Sequence, residues 1–219
     1  MPSKVAFLIN PLKRLQLNSY VAWVKARVPF HLEVFDQVWP SELGDFDQVW
    51  VMGGDGTFNY FVNKYPLIEI PIALFKGGTG NDFYWKLFGE RSRLAHLEAV
   101  LAGHAEAFDA GSCNGQIFLN GVGIGIEGEV LKSMESIRYF KGGLGYYLAA
   151  IPNLLQFKSY YIQGNRKVFL CMVFNSSRAG GGFHFFPHAE IQDGLLDVMY
   201  CRHIPVWQRL FYMPIIQSG

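Results

Sequence analysis

Two glycine-rich segments, each placed directly after a short apolar run, constrain the fold more than any other feature of the sequence. Residues 53–59 read GGDGTFN and follow the run QVWVM, and residues 77–82 read GGTGND and follow IALFK. Short apolar runs of this kind are typical of strands buried on both faces of a parallel sheet. Glycine-rich turns at the carboxyl ends of such strands lie where open α/β sheets bind ligands. The sequence therefore predicts an α/β domain with a ligand site at one edge of its sheet.

The first half of the chain alternates between strand-like and helix-like patterns. The predicted strands are short and apolar, namely Lys4–Ile9, His31–Phe35, Gln48–Met52 and Ile72–Phe75. Helical patterns lie between and after them, from Asn18 or Ser19 to Val28, briefly after Ser41, from Thr57, and up to about Gly103. Strands alternating with helices favour a parallel sheet covered on both faces, here in a domain over residues 1–104.

Beyond residue 104 the pattern changes to closely spaced strands with Gly or Asn at the breaks. These predicted strands are Ala105–Asp109, Gln116–Asn120, Tyr160–Gln163, Val168–Asn175 and Leu195–Cys201. Two helical stretches, Gly128–Arg138 and Gly145–Gln156, interrupt them. We therefore predict a second domain over residues 105–219 that is mainly antiparallel β, with helical insertions.

The composition of the two glycine-rich segments suits phosphate binding. Glycine lets the backbone approach a ligand closely, so that N–H groups can point at phosphate oxygens. A helix that starts at Thr57 adds the positive end of its dipole. The carboxylates of Asp55 and Asp82 would repel bare phosphate, which predicts an intervening Mg²⁺.

Neither segment is one of the familiar phosphate-binding motifs. The chain has no GxxxxGK[ST], and the position three after Gly56 is Asn59, where GxGxxG requires glycine. The structural alternative is a pair of tight strand-to-helix turns with Asn and Asp as caps. We favour phosphate binding because both segments, at successive strand ends, carry Gly, Thr, Asn and Asp.

In this spacing, GGDGTFN and GGTGNDF resemble the catalytic domain of the diacylglycerol kinase family, which includes bacterial lipid kinases and sphingosine kinases. Three further segments agree with the family, namely Asn10-Pro11, Asp109 followed by Phe118-Leu119-Asn120-Gly121, and DGLLDV at 193–198. The similarity extends from about residue 4 to 203. GGDGT alone also occurs in NAD kinases and phosphofructokinases, whereas the combination is specific.

The resemblance implies a Rossmann-like N-terminal domain and an antiparallel β-sandwich domain, with the active site between them. It implies that ATP is the phosphate donor, bound by Asn10, Gly53, Gly54, Gly56, Thr57, Asn59, Gly78, Thr79, Gly80 and Asn81. It also implies a Mg²⁺ network of aspartates, namely Asp55, Asp82, Asp109 and Asp193. Asp55 is the catalytic residue whose loss should be most damaging, since it lies in the nucleotide loop itself.

The sequence departs from the family in two places. The family continues Asn-Pro into a Ser/Gly-rich turn, whereas this chain has Leu12-Lys13-Arg14-Leu15, whose cations either contact phosphate or are simply solvated. Related kinases also carry a later Asp-Gly-Glu whose glutamate is the catalytic base, and this chain reaches Gly219 without one. We expect that the chain is a naturally short member, or that its second domain is incomplete at the C-terminus, or that its base lies elsewhere. Glu127 and Glu129 are assigned no such role.

The composition of the chain indicates which kinds of partner and cellular compartment to expect. A net charge of +1 gives no electrostatic reason to expect nucleic acid. Three scattered cysteines without CxxC spacing argue against a disulfide framework or a zinc cluster and fit a reducing cytoplasm. The longest apolar run, Val168–Phe174, is far below the roughly 18–20 residues of a spanning helix. We therefore expect peripheral contact with the inner face of the membrane, and pairing of edge strands would give a homodimer.

The function that we favour is ATP- and Mg²⁺-dependent phosphorylation of a lipid hydroxyl, with diacylglycerol or a related lipid alcohol as substrate. The alternative enzyme is an NAD kinase, which shares GGDGT. The alternative outside enzymes is a catalytically silent nucleotide- or lipid-binding protein. GTGNDF and DGLLDV favour the lipid kinase, while the lack of Asp-Gly-Glu keeps the silent binder open.

Overall fold

The computed structural model describes residues 2–126, 128–129, 132–133, 151–153, 155–162, 166–209 and 211. The chain divides into two compact units, residues 1–107 and 108–219. The first is an α/β unit built on a parallel sheet, and the second contains antiparallel sheets. The predicted fold class is therefore confirmed.

A four-stranded parallel sheet forms the centre of the first unit. Its strands are β1 (Lys4–Ile9), β2 (His31–Phe35), β3 (Gln48–Gly53) and β4 (Ile72–Lys76). They lie in the order β2-β1-β3-β4, so β1 and β3 are the central strands. All four predicted strands are confirmed, and β3 and β4 each continue one residue further than predicted.

The helices of the first unit pack their apolar residues onto this sheet. They are α1 (Arg14–Lys25), α2 (Asp55–Lys64), α3 (Asp82–Phe88) and α4 (Arg93–Ala102), and a 3-10 turn (Pro11–Lys13) precedes α1. The aromatic rings of Phe7, Trp50 and Phe75 meet at the centre of the core, with ring centroids 5.2–5.9 Å apart. Residues 5–9 of β1 are buried throughout, as expected for a strand covered on both faces.

The first helix begins earlier than predicted. α1 starts at Arg14 rather than at Asn18 or Ser19. It also ends at Lys25, before the predicted Val28. The reason is the 3-10 turn directly after β1, which starts the helical path before residue 18 can act as a cap.

The brief helix predicted after Ser41 is wrong. Residues 41–47, all of them described, form bends and turns that lead into β3. The side chains of Leu43 and Phe46 are buried and anchor this segment to the core. Tertiary burial of two apolar residues therefore fixes the segment where local propensity suggested a helical turn.

His96 on α4 is a fully buried titratable residue of the first unit, with 0% of its surface exposed. Its Nε2 lies 2.8 Å from the Leu74 carbonyl oxygen, which can only accept, so Nε2 carries the proton. Its Nδ1 has no partner within the described part of the chain. Burial lowers the pKa of His96 from 6.5 to about 4, although the bond to Leu74 opposes this shift. The residue is therefore neutral at physiological pH.

We expect the first unit to lose stability in mild acid because of His96. Its pKa is lower in the folded chain than in the unfolded chain, so the unfolded chain binds the proton first as the pH falls. The stability contribution is complete above the unfolded pKa of 6.5 and is lost by about pH 4. Between pH 7.5 and pH 5 the loss is up to about 2 kcal/mol. Urea unfolding of wild type and His96→Gln at both pH values measures it, and an equal pH dependence in the two proteins would contradict it.

In the second unit, the long strand β9 is the centre of an antiparallel sheet. The strands of the unit are β5 (Gly111–Cys113), β6 (Gln116–Phe118), β7 (Gly121–Gly125), β8 (Tyr160–Ile162), β9 (Arg166–Phe174), β10 (Arg178–Ala179), β11 (Phe183–His184) and β12 (Asp197–Arg202). The main sheet has the order β12-β9-β7, with β8 also paired to β9. β5 pairs with β6, and β10 with β11, as two small antiparallel pairs. Leu170, Met172 and Phe174 of β9 face a core that includes Phe157.

Two strand predictions in this unit need correction. Ala105–Asp109 is not a strand, because the backbone N–H of Asp109 donates to a single loop carbonyl, that of Ile191, rather than joining a ladder. Conversely, the short strands β5, β10 and β11 and the strand β7 were not predicted, and in β7 three glycines hide the alternation of a strand. A Cβ on Gly121 would lie 2.8 Å from the Val173 carbonyl oxygen, so β7 approaches β9 closely at that point.

The remaining strand predictions are confirmed, with boundaries shifted by up to two residues. Of the helical stretch predicted at 128–138, only 128–129 and 132–133 are described, and they are helical. Of the stretch predicted at 145–156, residues 151–153 and 155–156 are described and helical. Glu127 and Gln163 lie outside the described residues. No helix in the described ranges has the length and apolar character needed to cross a bilayer.

Candidate functional site

The carboxyl ends of three strands meet at one edge of the parallel sheet in the first unit. The register places Ile9 of β1 beside Met52, and Gly53 of β3 beside Lys76, the last residue of β4. The three strands therefore end together. The residues that follow them, including both glycine-rich segments, are neighbours in space at the edge where α/β sheets bind ligands.

The two glycine-rich segments are packed against each other. The Gly77 N–H donates to the Gly53 carbonyl oxygen at 2.7 Å. A Cβ on Gly78 would lie 2.4 Å from the Gly54 Cα, and one on Gly54 would lie 2.7 Å from the Gly78 Cα. Any side chain at either position would push the two backbones apart. Glycine at 54 and 78 is therefore explained by the contact between the segments.

The glycines at positions 53 and 56 differ in their surroundings. A Cβ on Gly53 would lie 2.4 Å from the Thr57 side chain, so glycine is required there by packing. A Cβ on Gly56 would have no atom within 4 Å, and the residue is exposed. It lies in the first turn of α2, which begins at Asp55 rather than at the predicted Thr57. Glycine in a helix is less stable than alanine by roughly 0.5–1 kcal/mol. Internal packing therefore does not account for glycine at 56, and the open space beside it is available to a ligand.

Asn10 and Thr57 connect the end of β1 to the first turn of α2. The Asn10 Nδ2 donates to the Thr57 Oγ1 at 2.8 Å. The Asn10 Oδ1 accepts the N–H of Leu12 at 3.0 Å, which fixes the orientation of the amide. Thr57 is nearly buried, and its hydroxyl oxygen acts as an acceptor in this bond, so its hydrogen can be donated to a ligand.

The carboxylate of Asp55 lies at the start of α3. Its Oδ1 accepts the Phe83 N–H at 2.8 Å, and its Oδ2 accepts the Asp82 N–H at 3.1 Å. The N-cap residue of α3, Asn81, makes no side-chain cap bond, so Asp55 supplies the cap from the neighbouring segment. The structure thus gives Asp55 a stabilising role as the cap of α3.

Asn81 closes the second glycine-rich segment on itself. Its Oδ1 accepts the Gly78 N–H at 2.7 Å, and its Nδ2 donates to the Gly78 carbonyl oxygen at 3.0 Å. Its backbone is left-handed, with φ of 55°, a conformation that asparagine tolerates. Thr79 and Gly80 form the outer part of this segment, and Thr79 is exposed. The Asn81 side chain therefore shapes the segment, which leaves residues 79–80 as its accessible part.

Asn59 and Asp82 are less exposed than the loop residues. Asn59 is half-buried on α2, and its carbonyl oxygen accepts from the Asn63 Nδ2 at 2.8 Å. Asp82 is the first residue of α3 and only 3% of its surface is exposed. Both residues lie beside the carboxyl edge of the parallel sheet, and both are less accessible to a ligand than residues 79–80.

Lys76 belongs to the same edge and was not singled out from the sequence. Its Nζ lies 3.6 Å from the Glu90 Oε2 and 5.6 Å from the centre of the Tyr84 ring. Glu90 is well exposed, so this ion pair holds the lysine weakly. The sequence does show how Lys76 could have been found, because it is a cation at the last position of a strand, directly before a glycine-rich segment. Its charge favours an anionic ligand at this edge.

In the second unit, the structure brings two of the predicted aspartates into one loop region. The Asp109 Oδ2 accepts the Gly194 N–H at 2.8 Å. The Asp193 Oδ1 accepts the Leu195 N–H at 2.9 Å, and Gly194 between them has φ of 72°. The DGLLDV segment is thus tied to Asp109, and glycine is needed at 194 for the left-handed turn.

A buried polar cluster under Asp109 was also missed from the sequence. The Asn175 Nδ2 donates to the Asp109 and Leu119 carbonyl oxygens at 2.8 and 2.9 Å. The Ser176 Oγ donates to the Asn120 Oδ1 at 2.7 Å. Polar residues directly after the apolar strand β9 were the available signal. Because Asn175 binds the carbonyl oxygen of Asp109, the cluster holds the backbone of the residue that carries that carboxylate.

The donor set suits a magnesium ion that is shared with phosphate. Nowhere in the described ranges do three or more His, Cys, Asp or Glu side chains form a group that could hold a metal. Mg²⁺ in nucleotide enzymes is usually held by one or two carboxylates together with phosphate oxygens and water. The Asp55 carboxylate, beside the glycine-rich segments, is the kind of ligand that such a site uses. Asp109 and Asp193 lie together in one loop region of the second unit.

Comparison with known proteins adds to this geometry. Residues 31–113 match the family described as diacylglycerol kinase catalytic domain, and residues 120–219 match the YegS C-terminal NAD kinase beta sandwich-like domain. The chain is 33% identical over 172 residues to a diacylglycerol kinase of Bacillus subtilis (strain 168), covering 73% of this chain and 56% of that protein. It is 30% identical over 168 residues to a probable lipid kinase YegS-like of Shewanella frigidimarina, covering 69% and 53%. The chain thus spans about half the length of the curated relatives that it matches.

Solved structures show the same fold. A putative diacylglycerol kinase from Bacillus anthracis str. Sterne superposes with a TM-score of 0.73 at 26% identity, covering 100% of this chain and 80% of that one. A second crystal structure of a diacylglycerol kinase from that strain gives a TM-score of 0.70 at 26% identity, covering 97% and 78%. The resemblance inferred from the glycine-rich motifs is therefore confirmed. The chain belongs to the diacylglycerol kinase catalytic domain family, with a YegS-type C-terminal domain following that domain.

Proposed function

We propose that this chain binds ATP with Mg²⁺ and transfers the γ-phosphate to the hydroxyl of diacylglycerol or a related lipid alcohol. The observation that carries the proposal is the carboxyl edge of the first sheet. There, two glycine-rich segments are locked together by the bond from Gly77 to Gly53, and Gly56 is left open with no packing role. An exposed glycine in the first turn of a helix, at the positive end of the helix dipole, suits a phosphate group.

Several groups at this edge are assigned to the nucleotide. The first turn of α2 at Gly56 and the backbone of residues 79–80 would bind phosphate oxygens. The Thr57 hydroxyl, oriented by Asn10, would donate a further hydrogen bond. Lys76 would add a positive charge beside the second segment. Together these groups supply donors and charge without a Walker A lysine.

Magnesium would neutralise charge on the transferring phosphate and orient its oxygens. We assign Asp55 and Asp82 as the carboxylates of the first unit that hold it. In the second unit, Asp109 and Asp193 remain the magnesium ligands that the family resemblance implies. Asp55 is the main candidate because it lies in the nucleotide segment itself. Its two backbone hydrogen bonds keep the carboxylate in place, so no ordering is required when the ion binds.

The lipid substrate is supported by the relatives, which carry the names diacylglycerol kinase and probable lipid kinase. No residue is assigned as the base that accepts the substrate proton. Glu129 pairs with Lys132 at 3.1 Å, one helical turn along the chain, which is the arrangement of a surface ion pair. Its position gives no support for a catalytic role.

The proposal predicts that the chain will label diacylglycerol in mixed micelles when incubated with γ-labelled ATP and Mg²⁺. A parallel reaction with NAD in place of lipid tests the rival enzyme, and EDTA provides the metal-free control. Labelled dinucleotide would show an NAD kinase instead. If neither acceptor is labelled, calorimetry with ATP and Mg²⁺ separates two cases. Binding without transfer indicates a silent nucleotide binder, and absence of binding contradicts the assignment of the sheet edge.

A further inference from the structure

Tyr60 on α2 carries an aromatic ring that the fold leaves largely in water. The residue is 59% exposed, whereas Phe58 and Phe61 beside it on the helix are buried. Tyr60 comes four residues after Gly56, and both are exposed, so the two lie on the same solvent face of α2. The ring is therefore attached one helical turn, about 6 Å along the axis, from the open glycine of the proposed phosphate site.

The direction of helical side chains brings the Tyr60 ring towards Gly56. Side chains of an α-helix lean towards its N-terminus, so a long side chain covers the turn that precedes its own Cα. For Tyr60 that turn contains Gly56. No atom lies within 4 Å of a Cβ built on Gly56, so the ring does not fill the space beside the glycine. The first turn of α2 and the aromatic ring thus border the same open space.

Trp39 supports the Tyr60 ring at the carboxyl edge of the sheet. The two ring centroids are 5.4 Å apart. Trp39 is buried, and its Nε1 donates to the carbonyl oxygen of Ile9, the last residue of β1, at 2.9 Å. The Tyr65 hydroxyl donates to the Pro40 carbonyl oxygen, which ties the same loop to α2. An aromatic ring that is already held in place loses little conformational entropy when a ligand stacks on it.

We propose that the base of the nucleotide stacks on the Tyr60 ring while its phosphates lie at the first turn of α2. This inference rests on the proposed function and adds to it the way in which the base is recognised. A ribose separates the base of a nucleotide from its phosphates, which agrees with a ring one helical turn from the phosphate site. Stacking uses the π face that every base has. Tyr60 therefore favours a nucleotide over a free polyphosphate without selecting adenine over guanine.

Calorimetry with three probes tests the proposal, namely ATP, GTP and inorganic tripolyphosphate, each with Mg²⁺. Tyr60→Ala should bind ATP and GTP about tenfold more weakly than wild type, because it removes the stacking surface for the base. Its affinity for tripolyphosphate should be unchanged, since that ligand has no base. Tyr60→Phe keeps the aromatic ring and should bind all three probes within about twofold of wild type.

Tyr161→Ala is the matched control. Tyr161 is 63% exposed, much like Tyr60, but it lies on β8 of the second unit. Its substitution should leave the affinity for all three probes unchanged. Equal ATP affinity in wild type and Tyr60→Ala would overturn the proposal. An equal loss of tripolyphosphate affinity in Tyr60→Ala would also overturn it, because the residue would then act through the shape of α2. So would an equal loss of ATP affinity in Tyr60→Phe, which would assign the effect to the hydroxyl group.

The choice of probes also separates this proposal from the proposed function. If wild type and Tyr60→Ala bind both ATP and tripolyphosphate equally well, the phosphate site is supported and only the role of Tyr60 fails. If wild type binds ATP but not GTP, hydrogen bonds read the edge of the base, and recognition by stacking on Tyr60 is wrong. If wild type binds neither ATP nor tripolyphosphate, the sheet edge is not a phosphate site, and the proposed function fails together with this proposal.

Discussion

Replacing Asp55 with asparagine should reduce phosphoryl transfer by at least about a hundredfold and lower the free energy of unfolding by about 2 kcal/mol. The carboxylate accepts two N–H groups, from Asp82 and Phe83, and an amide can accept only one of them. The other would face an NH₂ group, so a charge-assisted hydrogen bond is replaced by two opposed donors. The loss of negative charge also removes the proposed magnesium ligand. Transfer kinetics with saturating ATP and urea unfolding measure the two effects.

Ser92→Ala separates these two effects. Ser92 caps α4 by accepting the Ala95 N–H at 3.2 Å, and its loss should also destabilise the protein, by about 1 kcal/mol, without touching the sheet edge. This variant should keep wild-type transfer at a temperature where both proteins are folded. If Asp55→Asn remains as active as Ser92→Ala, then Asp55 is only a helix cap, and its assignment to magnesium is wrong.

The strands of the first unit could be predicted because their cause is local. The run VWVM at residues 49–52 is apolar at every position, and the structure buries it on both faces. The start of α1 could not be predicted in the same way. Asn18 and Ser19 are good caps in isolation, but the 3-10 turn after β1 had already begun the helical path. Where the preceding segment determines the geometry, cap preference alone gives the wrong boundary.

The roles of the site residues depend on partners that are distant in the sequence. Asp55 caps a helix that starts 27 residues later, and Asp109 is bound by an N–H 85 residues away. A carboxylate beside a glycine-rich segment suggests a metal, but the sequence does not show which N–H groups will reach it. The same limit hid the cluster around Asn175, whose partners lie 56 and 66 residues away. The sequence singled out the two aspartates, and only the fold revealed which N–H groups bind them.

The glycines show this limit most clearly, because identical residues have different causes. Gly54 and Gly78 are needed where two backbones touch, and Gly53 is needed beside the Thr57 side chain. Gly56 lies in open space. From the sequence, all four were assigned to phosphate binding on the same grounds. The structure supports a ligand-related reason only for Gly56, and this difference can be measured.

Gly78→Ala and Gly56→Ala should therefore have opposite effects on stability and the same effect on nucleotide binding. The new methyl group at 78 meets the Gly54 backbone and forces the two segments apart, which should lower the free energy of unfolding by about 3 kcal/mol. At 56 the methyl group meets nothing, and the better helix propensity of alanine should raise stability by up to about 1 kcal/mol. Both variants should lose ATP affinity, by at least about tenfold, because one displaces the phosphate-binding backbone and the other fills the space beside it. Urea unfolding and calorimetry with ATP and Mg²⁺ measure the two quantities.

Gly44→Ala is the matched control, since Gly44 is exposed, has nothing within 4 Å of a built Cβ, and lies in the turn before β3. It should leave ATP affinity unchanged. A Gly56→Ala protein that is more stable and still binds ATP like wild type would show that the first turn of α2 does not contact phosphate. A Gly78→Ala protein with wild-type stability would show that the two segments are not in contact. We expect Gly56→Ala to bind ATP more weakly while its free energy of unfolding rises. Partial unfolding cannot explain that combination, because the variant is the more stable protein. The lost affinity then comes from the added methyl group, which occupies the space of the ligand.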